Sequence, residues 1–185
     1  MPGRTEIVSS IYGAYRLARL DQAGMTHFNL SVEGFWHSFF AALLVAPGYA
    51  LLVSERLLED GDIGLGRFAV VEGIAYLLGW AAFPLAALIL THAMDLGRNY
   101  VTLIVAANWA AVIQIAILLA GQIVGFVLPV VLASLILIVI TGSVLFYQWF
   151  VIRTALQTTG GIALALVVVD LLINIMINLS AERFI

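Results

Sequence analysis

Cysteine and lysine are both missing from this 185-residue chain. Without cysteine there is no disulfide, no thiolate nucleophile and no cysteine-ligated zinc or iron–sulfur centre. Without lysine there is no Schiff-base chemistry on a side-chain amine, and no phosphate-binding glycine loop of the lysine-bearing type. All eight basic residues are arginine, a usage that fits a GC-rich bacterial genome. Charge of either sign is scarce: 10% of residues are charged, against roughly 25% in a soluble domain. The net charge of −3 and the lack of any basic run exclude nucleic acid as a partner.

What the chain has instead is apolar surface, with 63% of its residues hydrophobic. A globule of this size has too little interior to bury it. Hydrocarbon is the solvent that suits such a composition, and a backbone in hydrocarbon must close its own hydrogen bonds as helix. The expected fold is an all-α integral membrane protein, a bundle of five transmembrane helices preceded by an N-terminal interfacial amphipathic helix. No linker divides the chain into domains.

Motifs for catalysis are absent. There is no His-Glu-x-x-His zinc helix and no Gly-x-Ser-x-Gly elbow. Asp60-Gly61 followed by Arg67 is superficially similar to the phosphatidyl-alcohol transferases, but their later spaced aspartates are missing. Glu59-Asp60-Gly61-Asp62 lacks the fifth-position ligand, sixth-position glycine and twelfth-position glutamate of a calcium loop, and reads as a solvated acidic loop. No enzyme and no metal are expected.

Residues 1–33 carry no early apolar core of a signal peptide. Over residues 5–20, Ile7, Val8, Ile11, Tyr15 and Ala18 share a helical face, with Ser9, Gly13 and Arg16 opposite. This predicts a helix in the headgroup region, with Arg4, Arg16 and Arg19 turned to anionic lipid. Spans follow over about 35–53, 68–94, 100–120, 126–152 and 162–179. Asn29, Ser31 and Glu33 precede the first as capping and dipole-matching groups. Pro47-Gly48 and Pro84 are expected to bend the first two. Tyr100 to Ile152 holds no charge and, at about 1.5 Å per residue, is too long for one crossing. Gly121-Gln122, Gly125 and Pro129 are its only punctuation, so a hairpin is expected there, which also accounts for the Gly121-x-x-x-Gly125 pattern. Placing the N-terminus in the cytoplasm puts Arg4, Arg16, Arg19, Arg98 and Arg153 inside and Arg56, Arg67 and Arg183 outside. The expected location is a bacterial inner membrane, with the C-terminus periplasmic.

Polar groups inside the apolar runs carry the functional expectation. Asp170, Asn174 and Asn178 recur every fourth residue and stack on one face of the fifth span. A charged Asp near the bilayer centre costs roughly 2.5–3.5 kcal/mol and normally faces the bundle interior. No basic residue shares its depth, so Asp170 is expected to donate a hydrogen bond to a neighbour. Ser134, Thr141 and Gln148 recur every seventh residue in the fourth span, Asn108 and Gln114 lie in the third, and Thr141 is near the depth of Asp170. Two readings follow: a proton- or ion-responsive polar path, or plain interhelical hydrogen bonding, within the bundle or against a partner subunit. A second cluster, Glu33, His37, His92, Asp95 and Arg98, gathers at the cytoplasmic ends, where His37 and His92 would be the pair to hold a b-type haem or a quinone.

The N-terminal segment followed by five closely spaced spans, over about residues 34–180, resembles the Yip1-domain family in topology. The Asp-Leu-Tyr-Gly-Pro signature of that family is absent, Ile11-Tyr12-Gly13-Ala14 departs from it, and no functional residue carries over. The resemblance implies a non-enzymatic protein of trafficking, membrane organisation or complex assembly. The expected function is an accessory or scaffold subunit whose partners are the lipid bilayer and other membrane subunits or further copies of the chain. The alternatives are an oligomeric transporter or channel using Asp170, and a haem- or quinone-binding subunit.

Overall fold

The computed structural model describes residues 1–59 and 64–184; the acidic loop around Asp60, Gly61 and Asp62, with its calcium reading, lies outside them. Among the described residues every regular element is helical. The α-helices are α1 (Arg4–Ala18), α2 (Val32–Ser38) and the five long ones, α3 (Phe40–Glu59), α4 (Leu65–Ala93), α5 (Tyr100–Val127), α6 (Val130–Leu156) and α7 (Gly160–Glu182). A 3-10 turn, Gln22–His27, follows α1, and a shorter one, Gly97–Asn99, leads into α5. Five stretches are long and apolar enough to cross a membrane: Val32–Leu57, Leu65–Ala93, Gly97–Val127, Val130–Leu156 and Gly160–Glu182. The expected spans 35–53, 100–120 and 162–179 fall within them, 68–94 overruns its stretch by one residue and 126–152 begins four residues too early; the pattern fits a multi-pass membrane protein.

Local chemistry sets the boundaries. Ser31 caps α2 by accepting from the Gly34 N–H at 3.1 Å, as its position before the first span predicts. The helix then breaks at Phe39, where Ser38 Oγ donates back to the Phe35 carbonyl and competes with the helical ladder. Pro47 lies inside unbroken α3, and α4 likewise continues through Pro84. The α5–α6 turn differs from expectation. It falls at Leu128-Pro129, because Pro129 cannot continue the α5 hydrogen-bond ladder. Gly121 is helical, and its missing Cβ makes room for Ile140 of α6, so it is a packing residue and not a turn residue. The α6–α7 turn is carried by Gln157 in the left-handed region, and Thr159 caps α7.

The five long helices close into a ring whose order is not that of the chain. α3 packs on α5, α5 on α6, α6 on α7, α7 on α4, and α4 returns to α3. Asn99 donates to the Leu156 carbonyl at one end of the bundle, and Arg67 donates to the Phe184 carbonyl at the other. The core sits toward the first end, where Leu103, Ile104, Trp109, Ile152 and Leu166 are buried. At the opposite end the α5–α6 hairpin stands clear, with Phe126, Val130, Ile138 and Val139 exposed.

The N-terminal segment packs on the bundle. α1 lies against α5 and α6, Tyr147 Oη donates to the Ala14 carbonyl at 2.8 Å, and Ser10, Ala14 and Leu17 are fully buried. Of the expected apolar face, Ile7, Ile11 and Ala18 pack against the core, while Val8 and Tyr15 are exposed. Close approach joins α1 to the 3-10 turn that follows it: a Cβ on Gly13 would come within 2.7 Å of the Gly24 carbonyl.

Candidate functional site

A cavity of about 260 Å³ lies inside the ring and takes wall residues from all five long helices. Six of the eight polar residues singled out in the spans converge on it: Asn108, Gln114, Gln148, Asp170, Asn174 and Asn178. α7 supplies the last three from one face, as their fourfold spacing requires.

Asp170 is the only acidic residue on this wall. Gln148 Nε2 of α6 donates to its Oδ2 at 2.5 Å, and Asn174 Nδ2 donates to its Oδ1 at 3.1 Å and to its carbonyl at 2.8 Å. Both carboxyl oxygens accept in these contacts. The partner of Asp170 is Gln148. Thr141 and Ser134 are exposed, and Ser134 turns its hydroxyl to the Val130 carbonyl. Seven-residue spacing keeps the three on nearly one face, with about 20° of drift per heptad, but it also moves each about 10.5 Å along the axis, so Thr141 and Ser134 lie nearer the exposed hairpin than Gln148 does.

The remaining amides are partly engaged. Asn108 donates to Ser38 Oγ at 2.9 Å, where both residues are buried, and so joins α5 to α2. Asn178 donates to the Asn174 carbonyl at 2.8 Å. An adjoining wall is aromatic: Tyr49 and Tyr76 rings lie 4.8 Å apart and Tyr76 and Trp80 6.1 Å apart, with Phe83 beyond them on the cavity lining. Gly79 of α4 faces α7; a Cβ there would make an ordinary contact, 3.8 Å from Asn174 Oδ1.

Sequence reasoning missed Glu72. It is buried on α4, accepts from Tyr49 Oη at 2.7 Å and pairs with Arg56 at 3.3 Å. Because Tyr49 also lines the cavity, Arg56, Glu72 and Tyr49 form a polar chain reaching it from the end of the bundle opposite α1. The signal was available: an acid seven residues into a long apolar run, with an arginine at the end of the preceding span.

His37 and His92 receive separate neighbours. His37 Nδ1 meets Glu6 Oε2 at 2.9 Å and its Nε2 lies 3.7 Å from Glu33, while His92 is exposed and uses Nδ1 on the Leu88 carbonyl at 2.8 Å. Neither lines the cavity, so the two rings do not fit a shared haem or quinone. No cluster of three or more metal-ligating side chains occurs among the described residues.

Of the arginines expected at lipid, Arg4 opens α1 and Arg19 caps its end, both exposed. Arg16 is partly exposed and engaged within the segment. Its Nε donates to Asp21 at 2.7 Å and its guanidinium meets His27 Nε2 at 3.1 Å. These contacts, with the Ala23 N–H, hold the Asp21 carboxyl below the ordinary aspartate range. Comparisons with protein-family models, curated proteins and solved structures find no match to this chain.

Proposed function

We propose that this chain is a multi-pass inner-membrane protein of a bacterium that binds a small polar or charged solute in its central cavity, with Asp170 as the anchor, and passes it across the bilayer. The observation that carries this reading is the convergence of six polar side chains from three helices on one space, beside an aromatic wall. Interhelical hydrogen bonding alone needs pairs in contact; it does not need a shared void. A concave site with a few convergent polar groups is the usual form of a ligand pocket. The arginine pattern supports an N-terminus in the cytoplasm, since Arg4, Arg16, Arg19, Arg98 and Arg153 lie on elements gathered at the α1 end.

The test is a panel of small solutes (amines, alkali cations, carboxylates, sugars) applied to the purified full chain, read by melting temperature, with uptake of any stabilising solute then followed in liposomes. A ligand at 100 times its Kd stabilises by about 2.7 kcal/mol. At least one class should raise the melting temperature of the wild type and not of Asp170→Asn. A panel in which nothing stabilises the wild type refutes the proposal.

One observation favours a second reading, that of an accessory or scaffold subunit. The flared half of α6 exposes Ser134, Thr141, Gly142 and Ser143, small residues of the kind that let membrane helices meet closely. The topological resemblance to the Yip1-domain family points the same way. Native mass spectrometry in mild detergent should then show companions or further copies; a lone monomer counts against it.

A further inference from the structure

Granting that the central cavity is a solute site, we infer that its ligand is a small primary alkylammonium ion, its head on Asp170 beside Trp80 and its short apolar tail against the alanine-lined part of the wall. Four observations lead there. First, Asp170 lacks a cation. The ion pairs among the described residues are Arg16 with Asp21, His37 with Glu6 and Glu33, and Arg56 with Glu72. An ionised carboxylate has about four acceptor positions, and Gln148 and Asn174 each take one. A bound cation completes the set.

Second, the α4 wall beside α7 is aromatic. Trp80 and Tyr76 line the cavity beside Phe83, and a cation within about 6 Å of an aromatic face is attracted to it, most strongly by Trp. Third, Pro84 has no N–H to offer the Trp80 carbonyl four residues earlier, so that carbonyl is released from the helical ladder on the cavity wall. Together with the side-chain oxygens of Gln114 and Asn178, it provides acceptors for an ammonium that still bears hydrogens. Fourth, the size and lining oppose a bare metal ion. Alkali and alkaline-earth ions want a close shell of oxygens. This space of about 260 Å³ has one carboxylate and is also lined by Ala75, Gly79, Ala107, Ala110 and Ala111. That lining suits a few methylene groups.

The test uses the full chain in detergent and three probes at equal concentration: n-butylammonium, 1-butanol and sodium ion. Only n-butylammonium should raise the melting temperature and bind saturably. Asp170→Asn should weaken its binding roughly a hundred-fold, as expected for removing one partner of a buried charge pair. Trp80→Leu should weaken it roughly ten-fold. Should Trp80→Leu not fold, Trp80→Phe keeps the packing and should weaken binding by a smaller factor. Equal protection by 1-butanol means that filling apolar space suffices, and equal protection by sodium means an inorganic cation site; either overturns the inference. So does unchanged n-butylammonium binding in Asp170→Asn. Protection by a sugar or a carboxylate without protection by n-butylammonium sinks this inference alone, whereas silence of the whole solute panel sinks the solute site with it.

Discussion

Removing Arg56 should cost more stability than removing Glu72, although the two form one ion pair. The Glu72 side chain is 5% exposed and that of Arg56 is 39% exposed. Arg56→Met leaves a buried carboxylate held only by Tyr49 Oη. Breaking a buried pair this way costs about 3–5 kcal/mol when both partners are buried. Solvent already reaches the arginine, which lowers the expected loss to about 2 kcal/mol. Glu72→Gln keeps an acceptor for Tyr49 and frees an arginine that can turn to water, so it should cost about 1 kcal/mol. With Glu72→Gln in place, the further change Arg56→Met should be nearly free, a coupling of about 2 kcal/mol. Reversible unfolding in mixed micelles, followed by tryptophan fluorescence, measures all four corners of this cycle. If Glu72→Gln proves the more damaging single change, or the two losses simply add, the assignment of Glu72 as the buried member is wrong.

Two further expectations concern the N-terminal segment. Gly13→Ala places a Cβ 2.7 Å from a backbone carbonyl that cannot rotate away, so α1 should loosen at a cost of about 1–3 kcal/mol. Limited proteolysis near residue 20 should accelerate, whereas Gly73→Ala, with open space around it, should change nothing there. The Asp21 carboxyl is held below its ordinary range by the Arg16 hydrogen bond and then by the Ala23 N–H. A depressed carboxylate stabilises the fold above its unfolded-state titration, and that contribution disappears as acid protonates it. Hydrogen exchange over residues 16–27 should therefore speed up as the pH falls through and below the ordinary aspartate range, beyond the intrinsic pH trend, and Asp21→Asn should remove the excess.

The helices were legible because hydropathy is additive along a chain: five long apolar runs separated by polar or glycine–proline breaks leave little choice. The α7 face was legible for the same kind of reason, since Asp170, Asn174 and Asn178 need only the helical repeat of one element. What failed required knowing two helices at once. Thr141 matches Asp170 by depth along the sequence and shares nearly one face of α6 with Gln148, so only the axial offset of α6 against α7 decides for Gln148. The α5–α6 turn was placed early because Gly121 and Gly125 look like breakers. In a helix packed against Ile140, however, a glycine is a means of close contact. Glu72 was overlooked inside a long apolar run, and the packing of Gly13 on Gly24 joins two elements through a contact that neither glycine's own neighbours in sequence reveal.

The ring order has a consequence for biogenesis. α4 emerges from the ribosome second among the five long helices, yet its neighbour on one flank is α7, the last. Until that final segment is synthesised, the groove beside Trp80 and Tyr76 faces lipid or a chaperone, and Gln148 waits without its carboxylate. A nascent chain halted before residue 160 should thus hold every aromatic of the pocket and none of its charge. Late closure makes the C-terminal segment the keystone of the assembly.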